Sequence, residues 1–235
     1  MTGRTNALVK LGTAISTLEV GTLVKVNENG APGEYMIVNQ GNPDASMYDA
    51  SCDGCWLLRK DIAENRKWDR TNNDYQNSDI HAYLNGGWTS RYEAGILSQI
   101  KQVKIPYVNG TNSGGSVASG ANGLSCKFFL LGGYEVGWTT SNSSYFPRDG
   151  AKLSYFSSGT SSSANNKRIA NYNGGRTVWW LRSIDTIGGD VHRVWYVGTK
   201  GDYYKWGFNN TCGLRPAFIL PSTALVDDNL NVIPA

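Results

Sequence analysis

Two apolar, strand-like runs near the carboxyl end constrain the fold of this chain more than any other feature. The first is Thr-Val-Trp-Trp-Leu-Arg-Ser at 177–183, and the second is Gly-Leu-Arg-Pro-Ala-Phe-Ile-Leu at 213–220. Both contain many of the β-branched and aromatic residues that are typical of strands. The segment between them, residues 184–212, combines Asp, Gly, His, Arg, Trp, Tyr and Lys without an aliphatic run. Two stiff strands around a polar, aromatic segment indicate a binding surface carried on a scaffold.

The composition favours a loop-rich fold that contains β-structure. Among the 235 residues are 28 Gly, 13 Tyr and 8 Trp, and only 17% of the residues are charged. A chain of this length can bury a full core as one large domain or two small ones. The formal net charge of +3 is too small to indicate nucleic-acid binding. Because no apolar run has transmembrane length and the N-terminus lacks a signal peptide's apolar core, we expect a soluble protein without membrane insertion.

The four cysteines, Cys52, Cys55, Cys126 and Cys212, do not form a complete metal-binding motif. Cys52-Asp-Gly-Cys55 has the spacing of half a zinc site, but no second Cys/His pair follows it. The Asp-Gly pair between these two cysteines is also a hairpin-turn signal, so a turn carrying two thiols is the preferred interpretation. We therefore expect neither a metal nor a cofactor.

Turn and strand signals predict two antiparallel strand pairs in the first quarter of the chain. Residues 20–26 and 34–38 are strand-like and lie on either side of a turn that contains Gly and Pro. Residues 47–59 predict a second hairpin with the Asp-Gly pair at its turn. We place a polar N-terminal lead or linker at residues 1–18.

Two short helices are predicted next, and loops fill the second half of the chain. Ser78 is expected to begin the first helix, whose apolar face carries Ile80 and Leu84. Ser-Arg-Tyr-Glu at 90–93 has the form of a capping box and predicts the start of the second helix. No internal repeat is present. The sequence therefore predicts an α+β arrangement with short antiparallel strands, most simply one domain over residues 19–235.

Several motifs make the chain resemble phage and prophage proteins from gut bacteria that have a C-type-lectin-like fold. The most specific pair is Trp-Trp-Leu-Arg-Ser at 179–183 with Gly-Leu-Arg-Pro-Ala at 213–217. Weaker matches are Tyr-Gln-Asn-Ser-Asp-Ile at 75–80, Ile-Pro-Tyr at 105–107 and Lys-Phe-Phe-Leu-Leu at 127–131. The resemblance covers most of the chain after the N-terminal lead and implies a C-type-lectin-like domain.

Similar domains include the variable proteins of diversity-generating retroelements, in which adenine-directed mutagenesis diversifies one surface for binding. In that family the diversified stretch lies between the two most specific motifs, which corresponds here to residues 184–208, called the display segment below. The resemblance implies a protein or glycan ligand on a target cell, and a location on a phage tail or another extracellular or cell surface. Many relatives have Pro after the Arg-Ser pair, whereas this chain has Ile184, so the display segment is expected to leave its strand differently.

The display segment divides into two strand-like runs, residues 191–197 and 202–208, and Gly-Thr-Lys-Gly at 198–201 is expected to join them as a hairpin. Tyr and Trp supply contact area at low entropic cost, while polar and charged groups orient a partner. The candidate ligand-binding residues are Asp185, Thr186, Asp190, His192, Arg193, Trp195, Tyr196, Thr199, Tyr203, Tyr204 and Trp206. For Trp195 and Trp206 the alternative is a position in the core, and for the polar residues it is a solvated loop.

Other functions are less well supported by the residues. His81 and His192 cannot be assembled with Ser and Asp into a catalytic arrangement, so we expect no enzyme and assign no catalytic residue. Formylglycine-generating enzymes share the broad fold, but that activity would need a reactive cysteine pair near the C-terminal site, where only Cys212 lies. A structural virion or surface module, which packs the display segment against a neighbouring subunit, remains the alternative from another class.

Arg182 and Arg215 lie inside the two strand-like runs and are expected to be structural. A guanidinium in an apolar strand needs several acceptors, such as loop carbonyls or a carboxylate. We expect both arginines to support the loops below the display segment.

Overall fold

The computed structural model describes residues 12–111, 115–186 and 192–235, and β-strands predominate in them. The strands are β1 (Thr13–Ala14), β2 (Leu23–Glu28), β3 (Ala31–Gln40), β4 (Cys55–Arg59), β5 (Glu64–Lys67), β6 (Val103–Ile105), β7 (Tyr107–Asn109), β8 (Ser116–Ala118), β9 (Leu124–Cys126), β10 (Ala170–Tyr172), β11 (Gly175–Thr177), β12 (Trp179–Ile184), β13 (Arg193–Val197), β14 (Tyr203–Gly207), β15 (Thr211–Leu214), β16 (Ala217–Leu220) and β17 (Leu225–Val226). The α-helices are α1 (Asp79–Leu84), α2 (Ala94–Gln99) and α3 (Ser162–Asn166), and the 3-10 helices are Ile15–Thr17, Ala50–Cys52, Tyr75–Asn77 and Gly87–Arg91. This mostly β structure with a few short helices is consistent with the predicted α+β class.

A five-stranded sheet in the order β14-β13-β12-β15-β5 carries the display segment. Its central strand, β12, is the first of the two predicted runs, and all six of its residues are buried. Strand β15 pairs with β12 in parallel, whereas the other pairs in the sheet are antiparallel. Because β12 is buried on both faces, its near-continuous apolar sequence is the pattern expected of an internal strand.

The second predicted run, residues 213–220, connects this sheet to a four-stranded sheet in the order β16-β4-β3-β2. Gly213 and Leu214 end β15, Arg215 and Pro216 form the crossing, and β16 follows directly. The sequence predicted one strand here. The observed crossing places Pro216 between two ladders, where its missing N–H costs no ladder hydrogen bond.

The first predicted strand pair is confirmed, because β2 and β3 are antiparallel neighbours. The second predicted hairpin, over residues 47–59, is wrong. Ala50–Cys52 forms a 3-10 helix, and β4 pairs with β3 and β16 instead of with a strand formed by residues 47–52. Gly54 marks the reason: a Cβ at this position would collide with the carbonyl of Leu220, so the glycine permits close approach of β16.

The first predicted helix is confirmed, and Ser78 caps it by accepting a hydrogen bond from the His81 amide at 3.2 Å. The predicted capping box is wrong. Ser90 lies within the 3-10 helix Gly87–Arg91 and donates to the Gly87 carbonyl at 2.8 Å, while α2 begins later, at Ala94. A local side-chain bond to the backbone thus replaces the predicted cap.

The described part of the N-terminal lead that we placed at residues 1–18 belongs to the folded domain. Strand β1 pairs with β17, and Ile15 is fully buried in the core. Residues 12–18 therefore pack on the domain, and residues 1–11 lie outside the described part of the chain.

Tryptophan dominates the core. Seven of the eight tryptophans are buried, and Trp206 is the exception. No helix in the described part of the chain combines the length and the apolar character that crossing a membrane requires.

Candidate functional site

The display segment forms the predicted hairpin of β13 and β14. The Gly198 amide donates to the Asp202 carbonyl at 2.7 Å, and the Gly201 amide donates to the Gly198 carbonyl at 2.9 Å. Gly201 has a φ of +76°, and a Cβ there would collide with the backbone of Asn165. The turn therefore requires glycine at this position.

One face of the hairpin packs inward on the loop at residues 139–150. The ring of Trp195 stacks on Phe146 with a centroid distance of 4.0 Å, and Trp138 stacks on the same phenylalanine at 5.8 Å. Tyr203 contacts these rings edge-on and donates its hydroxyl to the Asn142 carbonyl at 2.7 Å. This aromatic stack fixes the hairpin against the loop.

Two candidate ligand-binding residues on this side need correction, because they are buried. Trp195 is only 3% exposed, since the Phe146 ring covers it. Asp185 is 4% exposed, and Lys205 pairs with it at 2.6 Å. Trp195 therefore occupies a core position, which was the alternative to a ligand-binding role, and both residues support the hairpin from beneath.

The opposite face presents aromatic rings to solvent. Tyr204 is 51% exposed and Trp206 is 44% exposed. The half-buried Tyr196 joins them, with its ring 5.8 Å from that of Tyr204 and 5.9 Å from that of Trp206. Beneath Tyr196 lies the fully buried Trp180, at 6.0 Å in an edge contact. We call the rings of Tyr196, Tyr204 and Trp206 the aromatic face.

The phenol hydroxyl of Tyr204 donates to the Asp202 carboxylate at 3.0 Å. This hydrogen bond, followed by the negative charge of Asp202, raises the pKa of Tyr204 above its ordinary value. Burial raises the pKa of Tyr196 as well. Both phenols are therefore neutral hydrogen-bonding groups at physiological pH.

The remaining predicted site residues surround the hairpin. Thr199 is exposed in the turn, and His192 is exposed with its ring edge-on to Phe208 at 5.5 Å. Arg193 is half-buried, and Thr186 donates to the Tyr145 carbonyl at 3.3 Å. Asp190 lies outside the described residues.

Sequence reasoning did not identify Lys205 and Tyr145 as neighbours at this site. The Lys205 ammonium lies 4.4 Å from the centre of the Tyr145 ring and 5.7 Å from that of Trp195. Tyr145 is itself 38% exposed. No local pattern predicts this contact, because sixty residues separate the two side chains in the sequence.

A buried ionic network supports the sheet under the display segment. The Arg182 guanidinium donates to both carboxylate oxygens of Glu135, at 2.6 and 2.7 Å, and both side chains are fully buried. Its other acceptors are the carbonyls of Pro106, Leu130 and Asp149. The predicted structural role of Arg182 is confirmed.

Asp149 completes this network. Both of its carboxylate oxygens accept from the Ser183 hydroxyl, at 3.0 and 2.8 Å, and the hydroxyl accepts from the Gly133 amide. Burial raises the pKa of Asp149 to about 6, against the opposing effect of the Arg182 charge.

Arg215 meets the prediction only in part. Its Nε donates to the Arg59 carbonyl at 2.8 Å, and its guanidinium lies 4.8 Å from the centre of the Trp179 ring. Its Nη1 is buried and has no hydrogen-bond partner among the described residues. Burial lowers the pKa of Arg215 to about 10. The ring of Trp179 therefore takes the place of the expected carboxylate.

The other titratable groups singled out in the sequence are buried. Burial lowers the pKa of His81 to about 4 and raises the thiol pKa of Cys52, Cys55 and Cys212 to about 12. Since the thiolate is the reactive form of cysteine, these environments do not favour nucleophilic chemistry. Among the residues that the structure describes, no three His, Cys, Asp or Glu side chains are grouped so as to hold a metal ion.

Comparison with known proteins gives a family without an assigned function. Residues 53–222 match the family described as "Domain of unknown function (DUF6273)". No curated protein matches the chain, and no solved structure matches it. The matched region includes both C-terminal strand runs and the whole display hairpin, and it covers more than half of the chain. The chain therefore belongs to the DUF6273 family.

Proposed function

We propose that this protein is a ligand-binding protein with a C-type-lectin-like domain, and that it recognises a target through the aromatic face of its display segment. The observation that carries the proposal is the exposure of Tyr204 and Trp206, in a chain that buries its other seven tryptophans. Exposed aromatic side chains on a rigid element are typical of binding surfaces.

The rigidity of the hairpin supports this proposal. Trp195 and Tyr203 attach it to the loop at 139–150, and Asp149 in that loop accepts hydrogen bonds from Arg182 and Ser183 of β12. A ligand that meets the aromatic face therefore meets side chains whose backbone is already ordered. Such preorganisation lowers the entropic cost of binding.

The resemblance to variable proteins of diversity-generating retroelements supports a location on a phage tail or on another extracellular surface. Exposed positions at the tips and outer face of the hairpin, such as Thr199, Tyr204 and Trp206, are those at which diversification would change the ligand without changing the core. The target is a protein or a glycan on a cell surface.

A formylglycine-generating activity has less support. Cys212 is buried, and burial raises its thiol pKa to about 12. That environment does not favour the thiolate on which the chemistry would depend. We therefore propose a binding function and no catalysis.

The proposal is tested by a double variant, Tyr204→Ala with Trp206→Ala, screened on arrays of polysaccharides and cell-envelope proteins. Removing an anchor from a binding surface costs about 2 kcal/mol, so we expect at least about thirtyfold weaker binding of any ligand that wild type retains. Tyr145→Ala is the matched control, because this ring is also exposed but lies on the other side of the hairpin.

Equal binding by wild type and the double variant would contradict the proposal. Loss of self-association in the double variant, measured by sedimentation and found without any external ligand, would favour the alternative structural module.

A further inference from the structure

An open cavity of about 630 Å³ lies at the edge of the five-stranded sheet, beside strand β5. The residues that line it are polar or charged: Asn65, Arg66, Lys67, Arg70, Asp79 and Thr211. Lys67 and Thr211 are direct partners across the β5–β15 pair, and both are exposed. The cavity therefore opens to solvent between a sheet edge and the loop that leads to α1.

The cavity carries three cations against a single carboxylate. Asp79 is already bonded to Arg70, whose Nε and Nη2 donate to its two oxygens at 2.6 and 2.8 Å. Lys67 makes no ion pair with any residue that the structure describes. The surplus positive charge is the feature that an anionic group would recognise.

Arg66 is held in a fixed position at the cavity wall. Its guanidinium lies 3.4 Å from the centre of the Tyr83 ring, and its Nε donates to Glu64 at 3.1 Å. Glu64 is shared, since it also accepts from Arg91 at 2.7 Å. Two cations therefore share one carboxylate, and a ring orients the planar fork of Arg66, as in sites that bind carboxylate or sulfate groups.

The cavity and the aromatic face belong to the same sheet. The Trp180 indole donates to the Arg66 carbonyl at 2.9 Å, and the same ring contacts Tyr196 of the aromatic face. At the usual strand spacing, β5 lies about 15 Å from β13, which carries Tyr196, and about 19 Å from β14, which carries Tyr204 and Trp206. An extended ligand of a few linked units can reach both.

We infer that the ligand is an acidic polysaccharide, with sugar rings against the aromatic face and a carboxylate or sulfate group in the cavity. This inference rests on the proposed function of the aromatic face. The C–H bonds of a sugar ring carry small positive charges that are attracted to the negative face of an aromatic ring.

The surroundings favour a polysaccharide over a protein partner. Asn65, Thr211, Lys67 and Arg70 offer hydrogen bonds to hydroxyl and acidic groups. Together with the exposed rings of the aromatic face, these donors match the alternating ring faces, hydroxyl groups and acidic groups of a polysaccharide.

The first experiment measures binding to polygalacturonate, alginate, hyaluronan and chondroitin sulfate, with dextran and methyl-esterified polygalacturonate as neutral controls. Methyl-esterified polygalacturonate keeps the sugar rings of its parent and removes the charge. We expect wild type to bind at least one acidic polysaccharide about tenfold more tightly than the neutral ones, and to lose this difference as salt rises.

The second experiment uses the pair Lys67→Gln with Arg70→Gln, which removes cavity charge without altering the aromatic face. We expect the pair to weaken acidic binding by about tenfold or more and to leave neutral binding unchanged. The pair Lys60→Gln with Lys104→Gln changes the net charge equally at sites outside the cavity, and it should bind as wild type does. Thermal unfolding of each variant verifies that it is folded.

The outcomes separate this inference from the proposed function. If the Lys67→Gln, Arg70→Gln protein binds an acidic polysaccharide as tightly as wild type does, while the Tyr204→Ala, Trp206→Ala protein does not bind it, the cavity site alone is overturned. Poly-glutamate, which is acidic but has no sugar rings, is a further control. If wild type binds it as tightly as the acidic polysaccharides, charge alone is recognised and the inference of a polysaccharide ligand is overturned. Binding restricted to cell-envelope proteins, and lost in the aromatic-face variant, would reject the polysaccharide and leave the proposed function standing.

Discussion

Asp149 couples the stability of the protein to pH. Burial raises its pKa from 3.8 to about 6, so between these values the folded protein holds more protons at this position than the unfolded chain does. The contribution of Asp149 to the free energy of unfolding therefore falls as pH rises through this window, and it is constant above it. His81 acts in the opposite sense, because burial lowers its pKa from 6.5 to about 4 and its contribution is lost as pH falls.

Asp149→Asn isolates the first of these effects. Asn keeps a polar group beside Ser183 but does not titrate, whereas His81 is present in both proteins and cancels from the comparison. The free energy of unfolding of wild type relative to the variant should fall as pH rises from about 4 to 6 and stay constant at higher pH. Urea unfolding at pH intervals measures this difference. A difference that does not change with pH would show that the pKa of Asp149 is not raised.

At the scale of the element, the two faces of the display hairpin have different energetic roles. Trp195 is enclosed by the Phe146 ring at 4.0 Å, whereas Trp206 is 44% exposed. Removing a buried Trp side chain costs about 3–5 kcal/mol, whereas most surface substitutions change stability by about 0.5 kcal/mol or less. Trp195→Ala should therefore destabilise the protein by about 3 kcal/mol or more, and Trp206→Ala should not.

Chemical denaturation of the two variants provides the measurement, and each substitution is the control for the other because both remove the same side chain. Similar losses of stability would mean that the outer face is also part of the core. That result would remove the main support for the aromatic face as a binding surface.

Sequence reasoning succeeded at elements whose signals are local. Ser78 caps α1 as predicted, and the Gly-Thr-Lys-Gly turn forms the display hairpin. Sequence reasoning failed where a distant segment of the chain decides the strand pairing or the burial of a residue. The hairpin predicted at 47–59 is replaced because β4 takes β16 as a partner, and the burial of Trp195 depends on Phe146, almost fifty residues earlier.

The same limit applies to the candidate site. Tyr196, Tyr204 and Trp206 were predicted as a group with Trp195 and Asp185, since all lie in one segment of suitable composition. Alternation along a strand separates faces, but it does not tell which face meets the rest of the chain. Similarly, the basic cavity joins residues of β5, α1 and β15, which no spacing in the sequence connects.

At the scale of the whole molecule, residues 213–220 connect the two large sheets, and Gly213 is closely packed at the start of this segment. A Cβ at this position would lie 2.7 Å from the Val178 carbonyl oxygen and 2.7 Å from Ile62 Cδ1. Overpacking of this kind costs about 1–3 kcal/mol, so Gly213→Ala should lower the free energy of unfolding by that amount. Gly175→Ala is the control, because its nearest neighbour would be the Tyr172 carbonyl at 3.9 Å. Equal stability of the two variants, measured by urea unfolding, would contradict this role for Gly213.

The separation of scaffold from surface predicts which positions of the whole molecule tolerate diversity. A first library randomises four exposed predicted site residues: His192, Thr199, Tyr204 and Trp206. A second library randomises four residues that hold the hairpin from beneath: Asp185, Trp195, Tyr203 and Lys205. The two libraries have equal size, and every randomised position lies in the display segment.

Most members of the first library should fold, because exposed side chains contribute little to the free energy of unfolding. Most members of the second should not, since they lose the stack on Phe146 and replace one or both partners of the buried Asp185–Lys205 ion pair. Protease resistance of the surface-displayed libraries, followed by sequencing of the survivors, measures both fractions. Equal survival would mean that the inner face of the hairpin is not a structural support. A low survival of the first library would instead show that the exposed residues stabilise the fold, and a surface of that kind could not be diversified for binding.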